Sequence, residues 1–257
     1  MSAPLLIVED LVKRYPNGVL AADHVSFSVD EGSTIGIVGE SGSGKSTTAR
    51  VVLGLEIPDS GSVRYAGREL LRRRRSSLRD VRREVQVVPQ NPQTSFNPRA
   101  SILDSIRFHA RVTRTRIDRA GILEMLERVG IGAGNAAKYP HELSGGQLQR
   151  CAIARALIPA PRLVVCDEAV SALDKSVQAQ VLNLLADVQR DLGVAYVFIS
   201  HDLAVVEHIA SDVVVMRRGR IVESGPAAEI WADPQHEYTR SLLDATPEKR
   251  IERALAS

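Results

Sequence analysis

The run Gly39-Glu40-Ser41-Gly42-Ser43-Gly44-Lys45-Ser46-Thr47 constrains this chain more than any other stretch. It follows the short apolar segment 33–38 (STIGIV), suited to a buried strand, and precedes a segment that reads as a helix from about Lys45. The glycines let the loop curl so that backbone N–H groups turn inward toward phosphate oxygens. The helix start adds a dipole that favours negative charge. In such a loop Lys45 reaches the β- and γ-phosphates, and the Ser46 hydroxyl ligates Mg²⁺. A chance Gly/Ser loop rarely meets every fixed position of GxxxxGK[ST] in strand–loop–helix order, so the pattern predicts an ATP site.

A second piece of that chemistry lies downstream. Asp167 ends the apolar run Leu163-Val164-Val165-Cys166, and Glu168 follows it. A carboxylate at the C-terminal end of a buried strand can hold a Mg²⁺ water, and the next acid is the expected base that polarises the attacking water. Successive strand residues point opposite ways, but a turn at the strand end brings both acids to one side. Alone, two solvated acids opening a loop would be as ready a reading as the functional one. In a chain with a phosphate loop the functional reading is preferred.

Composition narrows the remaining classes. A chain of 257 residues with 44% hydrophobic content has the mass to bury a core in one large domain or two interleaved subdomains. The net charge of +2 gives no global argument for nucleic acid as a partner. Cys151 and Cys166 are the only cysteines, far apart and without CxxC spacing, which excludes a disulfide framework or a zinc pattern and fits a reducing compartment. The opening MSAPLLIVEDLV lacks a basic stretch, so a signal peptide is not expected. No apolar run reaches roughly 18 residues, so any membrane role must come through partners.

Strands are predicted over residues 5–13 and 19–29, joined by an Asn17-Gly18 turn, then over 33–38, 162–167 and 194–200, with a hairpin over 212–223 turning at Arg218-Gly219. Helices are predicted across 101–130, from Gly145 to about Ile158, over 175–192 and in the tail from 226. Strands alternating with helices imply an α/β sheet, with a helical insert between about 91 and 158.

The run Leu143-Ser144-Gly145-Gly146-Gln147 is a second anion-binding signal, with a hydroxyl and exposed N–H groups at a helix start. With it, the chain resembles the ATP-binding subunits of ABC transporters over nearly its whole length. The resemblance implies a P-loop NTPase (RecA-like) core with an antiparallel β subdomain and an inserted α-helical subdomain. Its expected bounds are 1–90 and 159–232 for the core, 91–158 for the helical subdomain and 233–257 for a C-terminal extension. Residue by residue, Tyr15 matches the aromatic that stacks on adenine, and Gln90 the glutamine that joins the subdomains and approaches Mg²⁺ and the attacking water. Ser144, Gly145, Gly146 and Gln147 match the signature. Ser171-Ala172-Leu173-Asp174 matches the loop after the catalytic glutamate, and His201 the switch histidine near the γ-phosphate. Taken singly, Tyr15, Gln90 and His201 are ordinary structural residues; their order around two strong motifs gives them roles. The family also implies a head-to-tail pair of protomers, each ATP held between one phosphate loop and the partner's signature.

A narrower resemblance links residues Pro89 to Arg99 and the tail His236 to Pro247 to the oligopeptide, dipeptide and nickel importer subfamily. Glu237 and Ala169 stand where proline is common in that group, and neither removes a catalytic group. The tail has no cysteine, so the iron–sulfur cluster of some members is not expected. The resemblance implies uptake of peptides or a similar small solute. It also implies two integral-membrane permeases, a second ABC ATPase, an indirectly coupled extracytoplasmic solute-binding protein, and a peripheral place on the cytoplasmic face of the membrane. Residues 90–112 are the expected coupling surface. The competing expectations are an ABC ATPase of DNA repair or ribosome work, an exporter ATPase, and an ABC-type subunit of a soluble phosphonate-degrading complex. The Arg72–Arg75 run reads as a solvated face more readily than as a site for anionic lipid or an acidic partner.

Overall fold

A computed structural model describes residues 3–70 and 78–245. The Arg72–Arg75 run and the end of the tail from Thr246 lie outside the described residues. The chain divides into two compact units, Met1–Arg72 with Ala195–Ser257, and Arg73–Val194.

The first unit begins with a hairpin of strands Leu6–Arg14 and Leu20–Val29. Its turn is closed by Gly18 N–H donating to Tyr15 O at 2.9 Å. In the second strand Ala22, Val25, Phe27 and Val29 face inward. Strand Ser60–Tyr65 pairs antiparallel with Leu6–Arg14, and the two-residue strand Arg68–Glu69 completes this sheet. The unit also holds three parallel strands, Ala195–Ser200, Thr34–Val38 and Asp212–Arg217, with Thr34–Val38 in the middle. Every residue of Thr34–Val38 and Ala195–Ser200 is buried, which is why both read as continuous apolar runs without alternation. Strand Arg220–Pro226 closes the edge as an antiparallel hairpin partner. Helices Leu203–Ile209, Ala227–Ala232 and Glu237–Asp244 follow the strands.

The second unit holds one parallel pair, Val85–Val88 with Leu163–Asp167, and the helices Leu78–Glu84, Ile102–Val112, Arg119–Arg128, Gly145–Leu157 and Lys175–Leu192. Its apolar core draws on Ile102, Ile106, Ile122, Leu126, Leu148, Ile153 and Leu185. Both cysteines are buried and free here. Burial raises the Cys151 thiol to about 12 and raises Cys166 as well, so both stay protonated and unreactive.

The predicted helix over 101–130 forms as two. After Val112 the chain passes through Arg114 at a φ of 56°, and Asp118 then caps a new helix by accepting from Gly121 N–H at 2.9 Å. The strands Ser60–Tyr65 and Val85–Val88 and the helix Leu203–Ile209 were not predicted. Val85–Val88 spans four residues, one of them the buried polar Gln86, which leaves no alternation to read.

Candidate functional site

Strand pairing accounts for which site residues come together. In the first unit Val38 pairs with Ser200, so the phosphate loop and His201 leave the same ends of adjacent parallel strands. In open α/β sheets such strand ends are where ligands bind. His201 sits on an exposed turn. Ser200 Oγ accepts from Asp202 N–H at 3.0 Å, and Asp202 in turn caps the helix Leu203–Ile209 through Ala204 N–H.

The phosphate loop is anchored on both sides. Gly44 has a φ of 105°, and a Cβ there would lie 2.0 Å from Ala21 O, so no side chain is tolerated. Gly219 N–H of the edge hairpin donates to Ser43 O at 2.9 Å. Lys45 is 4% exposed, and its Nζ donates to Gly39 O at 2.7 Å and Glu40 O at 2.8 Å. The ammonium is thus held inside the curl of the loop. Ser43 Oγ is buried and, among the described residues, has no hydrogen-bond partner. A phosphate oxygen would meet that need. Glu40, Ser41 and Gly42 form the exposed crown of the loop, while Ser46 and Thr47 are half-buried on the first turn of helix Lys45–Val52. Tyr15 joins this cluster: its Oη lies 3.4 Å from Thr47 Oγ1, and Lys13 Nζ sits 5.5 Å from the ring centroid.

The second unit gathers the other residues in the same manner. Val88 pairs with Cys166, which places Gln90 beyond the end of one strand and Asp167-Glu168 at the end of its neighbour. Glu168 adopts a φ of 48°, so the chain turns sharply at this residue. A left-handed backbone at a glutamate is uncommon and costs energy that the fold must offset. The turn is held by Ser171, whose N–H and hydroxyl both donate to Glu168 O. Gln90 Nε2 donates to Glu168 Oε2 at 2.8 Å.

The Ser144 side chain accepts from Gln147 N–H at 3.2 Å, and the Gln147 side chain accepts from Ser144 N–H at 3.1 Å. This reciprocal cap fixes the start of helix Gly145–Leu157 and leaves Ser144 and Gly145 exposed. Gly146 packs on Val177, where a Cβ would come within 2.6 Å of Val177 Cγ1. Buried Gln149 of the same helix donates to Pro89 O at 3.4 Å, beside Gln90. Neither the Gly146–Val177 packing nor the Gln149 bond was legible in the motif, which specifies only the helix start.

Residues 22–171 match the family model described as ABC transporter. The chain belongs to the ABC transporter family. It is 46% identical over 259 residues to the dipeptide transport ATP-binding protein DppF of Haemophilus influenzae, covering 96% of this chain and 79% of that one. The Escherichia coli K12 protein of the same name is 45% identical over 260 residues, covering 96% and 78%. The glutathione import ATP-binding protein GsiA of E. coli K12 is 46% identical over 257 residues, which is 95% of this chain but 41% of that protein.

Among solved structures, cbiO1 from Clostridium perfringens, part of an ABC transporter complex, superposes with a TM-score of 0.83 at 26% identity, covering 100% of both chains. An ATP-binding cassette solved as a dimer in a post-hydrolysis state with ADP and Pi gives 0.79 at 26% identity, covering 86% of this chain and 98% of that one. The P-loop NTPase fold expected from the sequence is the fold found. As an ABC ATPase, the chain uses ATP and couples its hydrolysis to transport. No helix among the described residues is long and apolar enough to cross a membrane.

Proposed function

We propose that this ABC ATPase energises import of peptides or a related small solute. The observation that carries the reading is the similarity to dipeptide transport ATP-binding proteins along 96% of the chain. The relatives do not favour a subunit of a soluble phosphonate-degrading complex, since they bear transport or import names.

In this reading Gly39 to Thr47 cradle the phosphates and Lys45 exchanges its loop carbonyls for phosphate oxygens. Tyr15 stacks on the adenine, and His201 contacts the γ-phosphate. Glu168 polarises the attacking water, with Gln90 orienting its carboxylate. Ser144, Gly145, Gly146 and Gln147 bind the ATP of a partner protomer. The donor chemistry fits Mg²⁺: the Ser46 hydroxyl, the Gln90 side-chain oxygen and the Asp167 carboxylate are hard oxygen donors. Among the described residues no group of three or more His, Cys, Asp or Glu assembles, which suits an ion that keeps its waters and phosphate oxygens. Mg²⁺ would neutralise charge on the β- and γ-phosphates.

The coupling surface is assigned to a cavity in the second unit of about 560 Å³, lined by Ser95, Asn97, Asp104, Phe108, His109 and Arg155. Phe108 and Val112, four apart on helix Ile102–Val112, are 65% and 63% exposed. The Arg155 guanidinium lies 4.6 Å from the Phe96 ring centroid and donates to Ser95 O, which stiffens the cavity wall. A short helix of one of two integral-membrane permeases is the proposed occupant, the other permease engaging the second ATPase. A second ABC ATPase, identical or paired, completes the dimer on the cytoplasmic face, and an extracytoplasmic binding protein supplies the cargo.

The test is a pull-down of the Glu168→Gln chain from its native cells with ATP and detergent-extracted membranes. Recovery of permeases and a second ATPase supports the importer. Recovery of a soluble assembly without membrane protein overturns it.

A further inference from the structure

The C-terminal helix of the first unit touches the phosphate loop at one atom. Tyr238 Oη accepts a hydrogen bond from Glu40 N–H at 3.0 Å, across 198 residues of sequence. Tyr238 is 5% exposed, and the Arg217 guanidinium covers its ring at 4.7 Å from the centroid. The approach is braced from behind. Glu223 accepts from Gln235 N–H at 2.7 Å and His236 N–H at 3.1 Å, and His236 Nδ1 accepts from Tyr238 N–H at 3.1 Å. Burial works to raise the Glu223 carboxyl, but the hydrogen bonds it receives outweigh this and hold it below its ordinary value, so it is an anion across the physiological range.

We propose that Tyr238 is a positioning residue for the phosphate loop. The peptide unit on either side of Glu40 is clamped: the N–H by the Tyr238 hydroxyl, the carbonyl by Lys45 Nζ. The inference rests on the reading that this loop cradles the phosphates of ATP. When Lys45 turns from the Glu40 carbonyl to a phosphate, Ser43 N–H still reaches that carbonyl at 3.1 Å, and the Tyr238 hydroxyl is the hold on the N–H side of Glu40. Without it, the Glu40 N–H turns to water, the free loop relaxes, and nucleotide binding must restore the curl. The cost falls on binding and spares the chemical step, because the hydrogen bond holds the loop backbone and moves no proton in the reaction.

The experiment measures the ATP dissociation constant, KM, kcat and Tm on the full chain. The variants are Tyr238→Phe, Leu243→Ala and Lys45→Ala. Phe keeps the ring beneath Arg217 and removes only the acceptor. Tyr238→Phe is expected to raise Kd and KM for ATP about five- to tenfold, the worth of one hydrogen bond, with kcat at saturation and Tm unchanged. Leu243 is a buried residue on the same helix, so its truncation lowers Tm and leaves Kd near wild type. A Kd unchanged in Tyr238→Phe but strongly weakened in Lys45→Ala overturns the positioning role and leaves the phosphate-loop reading standing. A Kd unchanged in both overturns that reading and the inference with it. Equal Kd losses in Tyr238→Phe and Leu243→Ala, tracking Tm, would reduce Tyr238 to a packing residue.

Discussion

Gln90 donates its side-chain N–H to Glu168 Oε2 over 2.8 Å, joining two residues that lie beyond the ends of paired parallel strands. The bond fixes the direction of the carboxylate. Glu168→Gln removes the proposed base while keeping the shape of the side chain. It is expected to slow ATP hydrolysis by roughly 10²–10⁴-fold while ATP still binds. Single-turnover hydrolysis beside equilibrium ATP binding checks this. Turnover near the wild-type rate would show that the proton goes elsewhere.

His201→Ala is expected to lower kcat by roughly 10²-fold, the loss of the donor proposed to meet developing phosphate charge. The residue is exposed on a turn that Ser200 and Asp202 hold, so the loss of kcat is expected to exceed any change in Tm. Steady-state ATPase with a thermal melt separates the two effects.

Charge reversal at the proposed coupling surface is expected to separate transport from hydrolysis. Arg107 is 45% exposed and pairs with Asp104 at 3.6 Å, a surface contact of small worth. Arg107→Glu or Arg99→Glu is expected to leave basal ATPase intact and to reduce solute transported per ATP in the reconstituted complex. Equal stoichiometry in wild type and variants would remove residues 90–112 from coupling.

His109 gives a pH signature. Burial, with the Arg155 charge nearby, lowers its pKa from 6.5 to about 4. Its Nε2 meets Gln86 Oε1 at 2.9 Å; that oxygen only accepts, so Nε2 carries the hydrogen. The unfolded chain therefore binds the proton more readily between these values. The stability due to neutral His109 is fully present above pH 6.5 and is lost as pH falls toward about 4. Urea midpoints at pH 5 and 7.5 should differ less in His109→Gln than in wild type, as read by near-UV signal.

The strand–loop–helix order around Gly39 to Thr47, the helix start after Ser144 and the acid at the end of Leu163–Asp167 were legible because each is a contiguous run whose local structure depends on neighbouring residues. The helix Lys175–Leu192 was legible for a related reason, its apolar face repeating along one continuous segment. What escaped depended on distant partners. Val85–Val88 becomes a strand only by pairing with Leu163–Asp167. Arg114 interrupts the helical periodicity of 101–130 by its backbone angle, while the apolar spacing on either side continues the pattern. Tyr238 belonged to a recognised tail element, but nothing in that run says that its hydroxyl meets Glu40.

Gly146 and Val177 meet where neither helix has room to yield, since even one methyl group would collide. Close-packed contacts pass displacement on rather than absorb it. The helix bearing Val177 starts just after the Glu168 turn, at the Asp174 cap, and the helix bearing Gly146 starts at Ser144. A shift at the turn is therefore relayed, like motion through a clutch without play, to the exposed helix start at Ser144 and Gly145. In the proposed dimer, one missing side chain would thereby link the turn of one ATP site to the signature of the other.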